Sequence, residues 1–329
     1  MARSWISRLA LVLALAGPAA AQASSPPPTP ASRPGDATLL TQDEYARRRA
    51  VKLASPFLQR APWTLDFEEA KRLAGARSRP ILAYFTRSFF DCGAAESLEN
   101  GLLSDPAFRE FAATTVLFAH VTSWVQGEPE PTLLHRYGGY AYPTIVFLDA
   151  QGRWLATHRG KRSVAALAET LTRARAQAEL LARADSGDAG ALRSSFVAVL
   201  EARALPLEQA RATLARIADL DPGERQRLDG LLISLEMHEA FAGLTLDPES
   251  QRRTHRQLLV MLEAGRIPPP PYTTRFWYSL MNGAELERDV RLFARALEAW
   301  EQSLPESKAK ADLVARARAR LRRIEGGAK

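Results

Sequence analysis

The chain has 329 residues and a net charge of +7, with 46% hydrophobic and 25% charged residues. This balance excludes an intrinsically disordered chain, and the length leaves room for two domains of ordinary size. The chain has one cysteine, which excludes a disulfide bond within the molecule.

Residues 1–21 have the composition of a secretory signal peptide. Arg3 and Arg8 make the start positive, residues 9–16 form a short apolar core, and three alanines precede the expected cleavage point. The apolar run is too short to span a bilayer. We therefore expect an exported protein, periplasmic or extracellular, that keeps no transmembrane anchor after cleavage.

Residues 22–37 are rich in proline, serine and alanine, which predicts an extended linker. Residues 38–60 are expected to hold an N-terminal helix that runs without interruption from Thr41 to Leu58. Thr41 and Glu44 have the spacing of a capping box, which favours a helix start at this point.

Residues 61–183 alternate between helical and strand patterns, which predicts an α/β domain. Apolar, β-branched runs predict three buried strands, at Ile81–Thr86, Thr115–Thr122 and Thr144–Leu148. Arg153–Arg159 should return antiparallel to the third of these strands. Helices are expected at 66–74, from the turn at Cys92 to about Leu103, from Ser104-Asp105-Pro106 onward, at 132–137 and at 163–181.

Residues 184–329 show no strand-like alternation but contain repeated helix starts, such as Asp221-Pro222 and Asp247-Pro248. We expect an all-α domain, either a helical bundle or a short helical array. Phe276-Trp277-Tyr278 should contribute to its core. The last predicted helix, Glu306–Ile324, is strongly basic, but a solvated arginine face explains this better than nucleic-acid binding, which we consider unlikely on composition.

The order of these elements, with a cysteine after the first strand and Tyr142-Pro143-Thr144 before the third, resembles the thioredoxin fold. Ser104-Asp105-Pro106 and a tryptophan, Trp63, before the first helix of the domain strengthen the resemblance to secreted bacterial thioredoxin-like proteins. The resemblance implies an α/β thioredoxin-like fold followed by the helical domain.

The resemblance also implies a role for the cysteine, but with three departures from the redox pattern. Cys92 matches the attacking cysteine, at a helix N-terminus that stabilises a thiolate. The resolving cysteine is replaced by Ala95, and the preceding tryptophan by Asp91, whose charge opposes thiolate formation. The strand position of the usual buried aspartate is Tyr84, a poor proton acceptor.

On the other side of the implied site stands Pro143, which the resemblance predicts to be cis. The backbone of Tyr142 would then pair with an extended substrate segment by strand addition. A groove between Cys92 and Tyr142-Pro143 would therefore bind peptide even without redox chemistry.

The sequence predicts no metal site and no cofactor. The five histidines are scattered, without a spacing that suggests metal ligands, and no phosphate-binding glycine loop or serine nucleophile motif occurs.

Two functions stay open at the level of the sequence. The first is an exported binding module that is redox-silent or only weakly redox-active, because the resolving cysteine is missing. The alternative is a monothiol thiol-disulfide oxidoreductase, in which Cys92 forms mixed disulfides with protein or small-thiol partners and an external thiol resolves them. In either case, the partner is a protein or peptide that offers an extended segment or a thiol.

Overall fold

The structure is a computed structural model that describes residues 40–245 and 247–326. The predicted signal peptide, 1–21, and the predicted linker, 22–37, lie outside the described residues. No helix within the described part of the chain is long and apolar enough to cross a membrane.

The N-terminal helix is divided in two, so the prediction of one continuous helix to Leu58 was wrong. Helix α1 spans Gln42–Leu53 and helix α2 spans Pro56–Arg60. The division follows from Pro56, which has no N–H to donate and disfavours helical geometry in the residue before it. The predicted cap is confirmed, since the Thr41 side chain accepts a hydrogen bond from the Glu44 N–H at 3.2 Å.

The centre of the molecule is a mixed five-stranded sheet with the strand order β1-β3-β2-β4-β5. The strands are β1 (Trp63–Thr64), β2 (Ile81–Arg87), β3 (Val116–Thr122), β4 (Thr144–Leu148) and β5 (Trp154–Thr157). Strand β3 runs parallel to β1 and β2, whereas β4 is antiparallel to β2 and β5. The three predicted buried strands and the antiparallel return are therefore confirmed, and the short edge strand β1 was not predicted.

Alternate residues of the central strand β2 enter two hydrophobic layers. Leu82 and Tyr84 face one layer and Ile81, Ala83 and Phe85 the other, as the two-residue repeat of a strand requires. The helices around the sheet are α3 (Phe67–Arg77), α4 (Gly93–Asn100), α5 (Pro106–Ala112), α6 (Leu133–Arg136) and α7 (Val164–Asp185). A 3-10 turn at Leu102–Ser104 ends the region that was predicted as one helix to Leu103.

The described residues after Asp185 form only helices, as predicted. These are α8 (Ala189–Ala202), α9 (Leu207–Arg216), α10 (Pro222–Ala240), α11 (Pro248–Glu263), α12 (Thr273–Glu287), α13 (Val290–Ser303) and α14 (Lys308–Gly326). Phe276 and Trp277 are buried in the largest core of this region, whereas Tyr278 is 42% exposed. The arginines of α14 include Arg318 and Arg320, which form ion pairs with Glu301 and Glu285.

The helical region meets the α/β region at a close backbone contact. Gly138, after α6, has φ +73°, and a Cβ atom at this position would overlap the carbonyl oxygen of Ala202 at the end of α8. Only glycine therefore fits this contact without a shift of the backbone. The junction is fixed by main-chain geometry as well as by side-chain packing.

Candidate functional site

Cys92 lies at the start of a helix and next to a loop from a distant part of the chain. It is the N-cap residue of α4, and its side chain is free and half-buried. Its thiol donates a weak, sulfur-length hydrogen bond to the carbonyl oxygen of Tyr142, at 3.8 Å. The structure thus brings together Cys92 and Tyr142-Pro143, the residues that the sequence analysis assigned to the two sides of a groove.

The Tyr142–Pro143 peptide bond is cis, as predicted. The Tyr142 hydroxyl donates a hydrogen bond to Thr122 Oγ1 at 2.9 Å, which ties this loop to the end of β3. Burial raises the pKa of Tyr142, so this hydroxyl stays protonated and keeps its donor role. Within the described residues, no group accepts a hydrogen bond from the Tyr142 N–H.

Aromatic side chains cluster beside this loop. Phe89 stacks on Trp124 with ring centroids 4.0 Å apart, and its edge meets the ring of Tyr142 at 6.1 Å. Phe90 contacts both Phe89 and Trp124 and remains 41% exposed. An exposed phenylalanine next to the thiol offers an apolar contact for a bound segment.

A buried carboxylate lies on the same helix as the cysteine, and the sequence analysis missed it. Glu99 of α4 is 4% exposed and accepts a hydrogen bond from the Tyr84 hydroxyl at 2.7 Å. Lys52 of α1 places its Nζ atom 2.6 Å from the same carboxylate. Thr86 adds a third hydrogen bond, at 3.1 Å. The charge of Glu99 is therefore paired and its oxygens are satisfied, as a buried carboxylate requires.

This network changes the interpretation of Tyr84. From the sequence alone, Tyr84 is only the loss of a buried acid on the central strand. In the structure a buried acid is present next to this strand position, but it is Glu99 of α4. The Tyr84 hydroxyl donates a hydrogen bond to it. Burial, and then the charge of Glu99, raise the pKa of Tyr84, so the hydroxyl is a permanent donor. Cys92, Glu99 and Lys52 line one cleft.

Asp91 contributes less to the site than its position in the sequence suggests. Its side chain is fully exposed, and its carboxylate lies 3.9 Å from the guanidinium of Arg48 in α1. Solvent and salt screen an exposed charge of this kind.

Ala95 occupies the position of a resolving cysteine, and it is fully buried. Its N–H donates to the Cys92 carbonyl oxygen at 2.9 Å in the first turn of α4. Because the sequence has one cysteine, no second thiol of this chain can reach a mixed disulfide at Cys92.

The histidines are mostly buried, and no group of three or more His, Cys, Asp or Glu side chains within the described residues has the arrangement of a metal site. His135 and His238, which are 103 positions apart, lie with ring centroids 5.2 Å apart where α6 meets α10. The sequence carried no signal for this pairing, because the two residues belong to different regions of the fold.

Comparison with known proteins gives a family for the α/β region. Residues 67–175 match a family model described as a thioredoxin-like domain. No curated protein matches the chain. Among solved structures, one described as "DsbH Oxidoreductase" is 22% identical with a TM-score of 0.32, and the match covers 39% of this chain and 98% of that chain.

Proposed function

We propose that this protein, whose residues 67–175 form a thioredoxin-like domain, binds an extended peptide segment beside Cys92 and captures a partner sulfur there as a mixed disulfide. The observation that carries the proposal is the 3.8 Å distance from the Cys92 sulfur to the Tyr142 carbonyl oxygen. The Cys92 thiol lies beside the backbone of Tyr142. A partner segment that forms hydrogen bonds with this backbone would therefore pass over the sulfur atom.

The backbone of Tyr142 supports the peptide-binding part of the proposal. Its N–H has no acceptor within the described residues, which leaves a donor for strand addition. The partly exposed ring of Phe90 would contact an apolar side chain next to the partner's sulfur. The partner is therefore a protein or peptide with an extended, partly apolar segment.

The covalent step is a thiol–disulfide exchange. The Cys92 thiolate attacks one sulfur of a disulfide in the partner, a new S–S bond forms, and the old S–S bond breaks. The second partner sulfur leaves as a thiolate and takes up a proton from solvent. No net oxidation occurs, because one disulfide replaces another.

Release needs a thiol from outside the chain. Ala95 replaces the resolving cysteine, so an external small or protein thiol must attack the mixed disulfide and return Cys92 to the thiolate form. The protein acts in this proposal as a monothiol, without a dithiol cycle of its own.

A redox-silent binding module is the second candidate, and the missing resolving thiol is the observation that favours it. Both candidates use the same groove and differ only in whether Cys92 reacts.

We also propose that the protein is exported after cleavage behind residue 21, and that residues 61–183 and 184–329 are its two domains. Intact mass of protein from the native host tests cleavage, and retention of Met1 contradicts it.

The two candidates are separated by one experiment with a peptide disulfide. The protein is mixed with an excess of a peptide whose single cysteine is held as a mixed disulfide with thionitrobenzoate, a leaving group that departs as a stable thiolate, and intact mass is recorded with time. We expect one peptide added per chain, an adduct that persists until a small thiol is added, and none with Cys92→Ser. Peptide binding without any adduct would leave the redox-silent module as the function.

A further inference from the structure

Four basic side chains meet where the α/β region contacts the helices. We call His135, Arg203, His238 and Arg275 the basic junction. The His238 ring nitrogen lies 2.8 Å from the His135 carbonyl oxygen. The guanidinium groups of Arg203 and Arg275 lie 5.7 and 4.5 Å from the ring centre of Tyr140.

Among the residues that the structure describes, no carboxylate forms an ion pair with either arginine of the basic junction. Arg203 donates to the Tyr272 hydroxyl and to the Gly138 carbonyl oxygen, which are both uncharged. Arg275 packs over the rings of Tyr140 and Phe241, at 4.5 and 4.4 Å. The ion pairs of the described residues include many arginines of the helical region but neither of these two.

Arg203 is shielded from water, and Arg275 is half-buried. Arg203 is only 6% exposed, and its Nε atom and the Nδ1 atom of His135 are buried without a hydrogen-bond partner. Burial lowers the pKa of Arg275, and the neighbouring charge of Arg203 lowers it further. A buried charge without a counter-charge is costly, which makes a bound anion favourable at this place.

The basic junction opens to a cleft whose wall includes Arg203, His135 and His238. Two carboxylates also line this cleft, but each is engaged elsewhere. Glu236 pairs with Arg266 at 2.9 Å, and Glu239 accepts the N–H of Leu207 at 2.6 Å. In the described part of the chain neither carboxylate forms an ion pair with Arg203 or Arg275, so neither directly neutralises the basic junction.

We propose that the basic junction, where it borders this cleft, binds a small oxyanion, with phosphate or carboxylate oxygens held by Arg203 and Arg275 and by a ring N–H of His135. Guanidinium groups suit this role because their planar N–H donors match the oxygens of both ligand classes. The site uses no residue of the Cys92 groove, so oxyanion binding is independent of thiol chemistry.

The test is isothermal titration of the full chain with inorganic phosphate, sulfate and citrate, with ionic strength held constant by sodium chloride. We expect saturable binding of at least one anion at one site per chain. Preference for phosphate or for citrate distinguishes a phosphate ligand from a carboxylate ligand. Failure of all three anions to bind at millimolar concentration would overturn the proposal.

Two substitutions in the basic junction and one control substitution test where the anion binds. Arg275→Gln should weaken it at least about tenfold, since one charged hydrogen-bond donor is lost. Arg256→Gln, which removes an exposed arginine paired with Glu249, is the matched control and should leave binding unchanged. Arg203→Lys, with its fold checked by circular dichroism, keeps the charge but loses the planar donors and should also weaken binding. Unchanged affinity in both junction variants would overturn the proposal.

Discussion

The sulfur of Cys92 and the carbonyl oxygen of Tyr142 lie 3.8 Å apart although fifty residues separate them in the sequence. The first residue begins α4 and the second precedes β4, so their proximity depends on the pairing of β2 with β4. A partner segment bound to the backbone of Tyr142 would therefore be held within reach of the thiol. The proposed chemistry depends on this distance.

The buried carboxylate network should contribute strongly to stability. In Glu99→Ala, Lys52 and the Tyr84 hydroxyl lose their shared acceptor. Removal of one partner from a buried ion pair costs about 3–5 kcal/mol, because the other charge stays buried. Urea unfolding measures this loss. Glu69→Ala breaks an exposed pair with Arg72 and should change the free energy of unfolding little, whereas equal effects of both substitutions would contradict the network.

The close contact between the two regions should depend on one glycine. Gly138→Ala has to place a Cβ atom onto the Ala202 carbonyl oxygen, in addition to holding alanine at φ +73°. Gly127→Ala is the control, since its φ is +78° and its Cβ atom would meet nothing within 4 Å. We expect the control to lose only about 1–2 kcal/mol of backbone strain and Gly138→Ala to lose clearly more in thermal unfolding. Equal losses of stability in the two variants would contradict this prediction, because they would mean that the backbone at Ala202 shifts at little cost.

Stability should fall in mild acid because of the paired histidines. Burial and nearby basic groups lower the pKa of His135 and His238 from 6.5 to about 4. Between these values the unfolded chain binds more protons, so the free energy of unfolding decreases as pH falls from 6.5 towards 4. Each pKa unit corresponds to about 1.4 kcal/mol. The free energy of unfolding is measured against pH in phosphate-free buffer. His238→Gln should make this pH dependence less steep. An unchanged pH dependence in the variant would contradict the assignment to these histidines.

The missing resolving thiol can be restored in a variant. Ala95→Cys places a thiol three residues after Cys92 in the first turn of α4, the spacing of a dithiol motif. We expect wild-type protein to reduce insulin with dithiothreitol no faster than the uncatalysed reaction, and Ala95→Cys to accelerate it. Because Ala95 is fully buried, the added sulfur should cost about 1–3 kcal/mol of stability. Rapid turnover by the wild-type protein would show that an external thiol resolves the mixed disulfide efficiently and would contradict the redox-silent alternative. No acceleration by Ala95→Cys would contradict the claim that the missing thiol limits turnover.

The sequence predicted the parts of the fold that local pattern and the family resemblance define. Apolar, β-branched runs located β2, β3 and β4, and the family resemblance at Tyr142-Pro143 indicated the cis bond. Edge strand β1 has only two residues, so no alternation was visible. The break between α1 and α2 coincides with Pro56, which interrupts an otherwise helical pattern.

The site was only half predictable, because its buried charges pair over long distances in the sequence. Glu99 resembles any surface acid of a helix until Lys52, 47 residues earlier, is placed beside it. A signal was nevertheless present, since Glu99 lies seven residues after Cys92 and therefore on the same side of α4. The basic junction had no local signal, as Arg203 and Arg275 belong to different helices.

The central claim is that Tyr142 holds a partner segment over the Cys92 thiol, and one rate comparison tests it directly. A peptide disulfide is prepared with a natural backbone and with N-methyl groups on the residues next to its cysteine. The methyl groups clash with a strand added at Tyr142 and remove the N–H groups that would donate to its carbonyl oxygen. We predict that the folded protein forms the Cys92 adduct at least about tenfold faster with the natural backbone, the equivalent of one backbone hydrogen bond. Equal rates for the two peptides, or no adduct with either, would contradict the account.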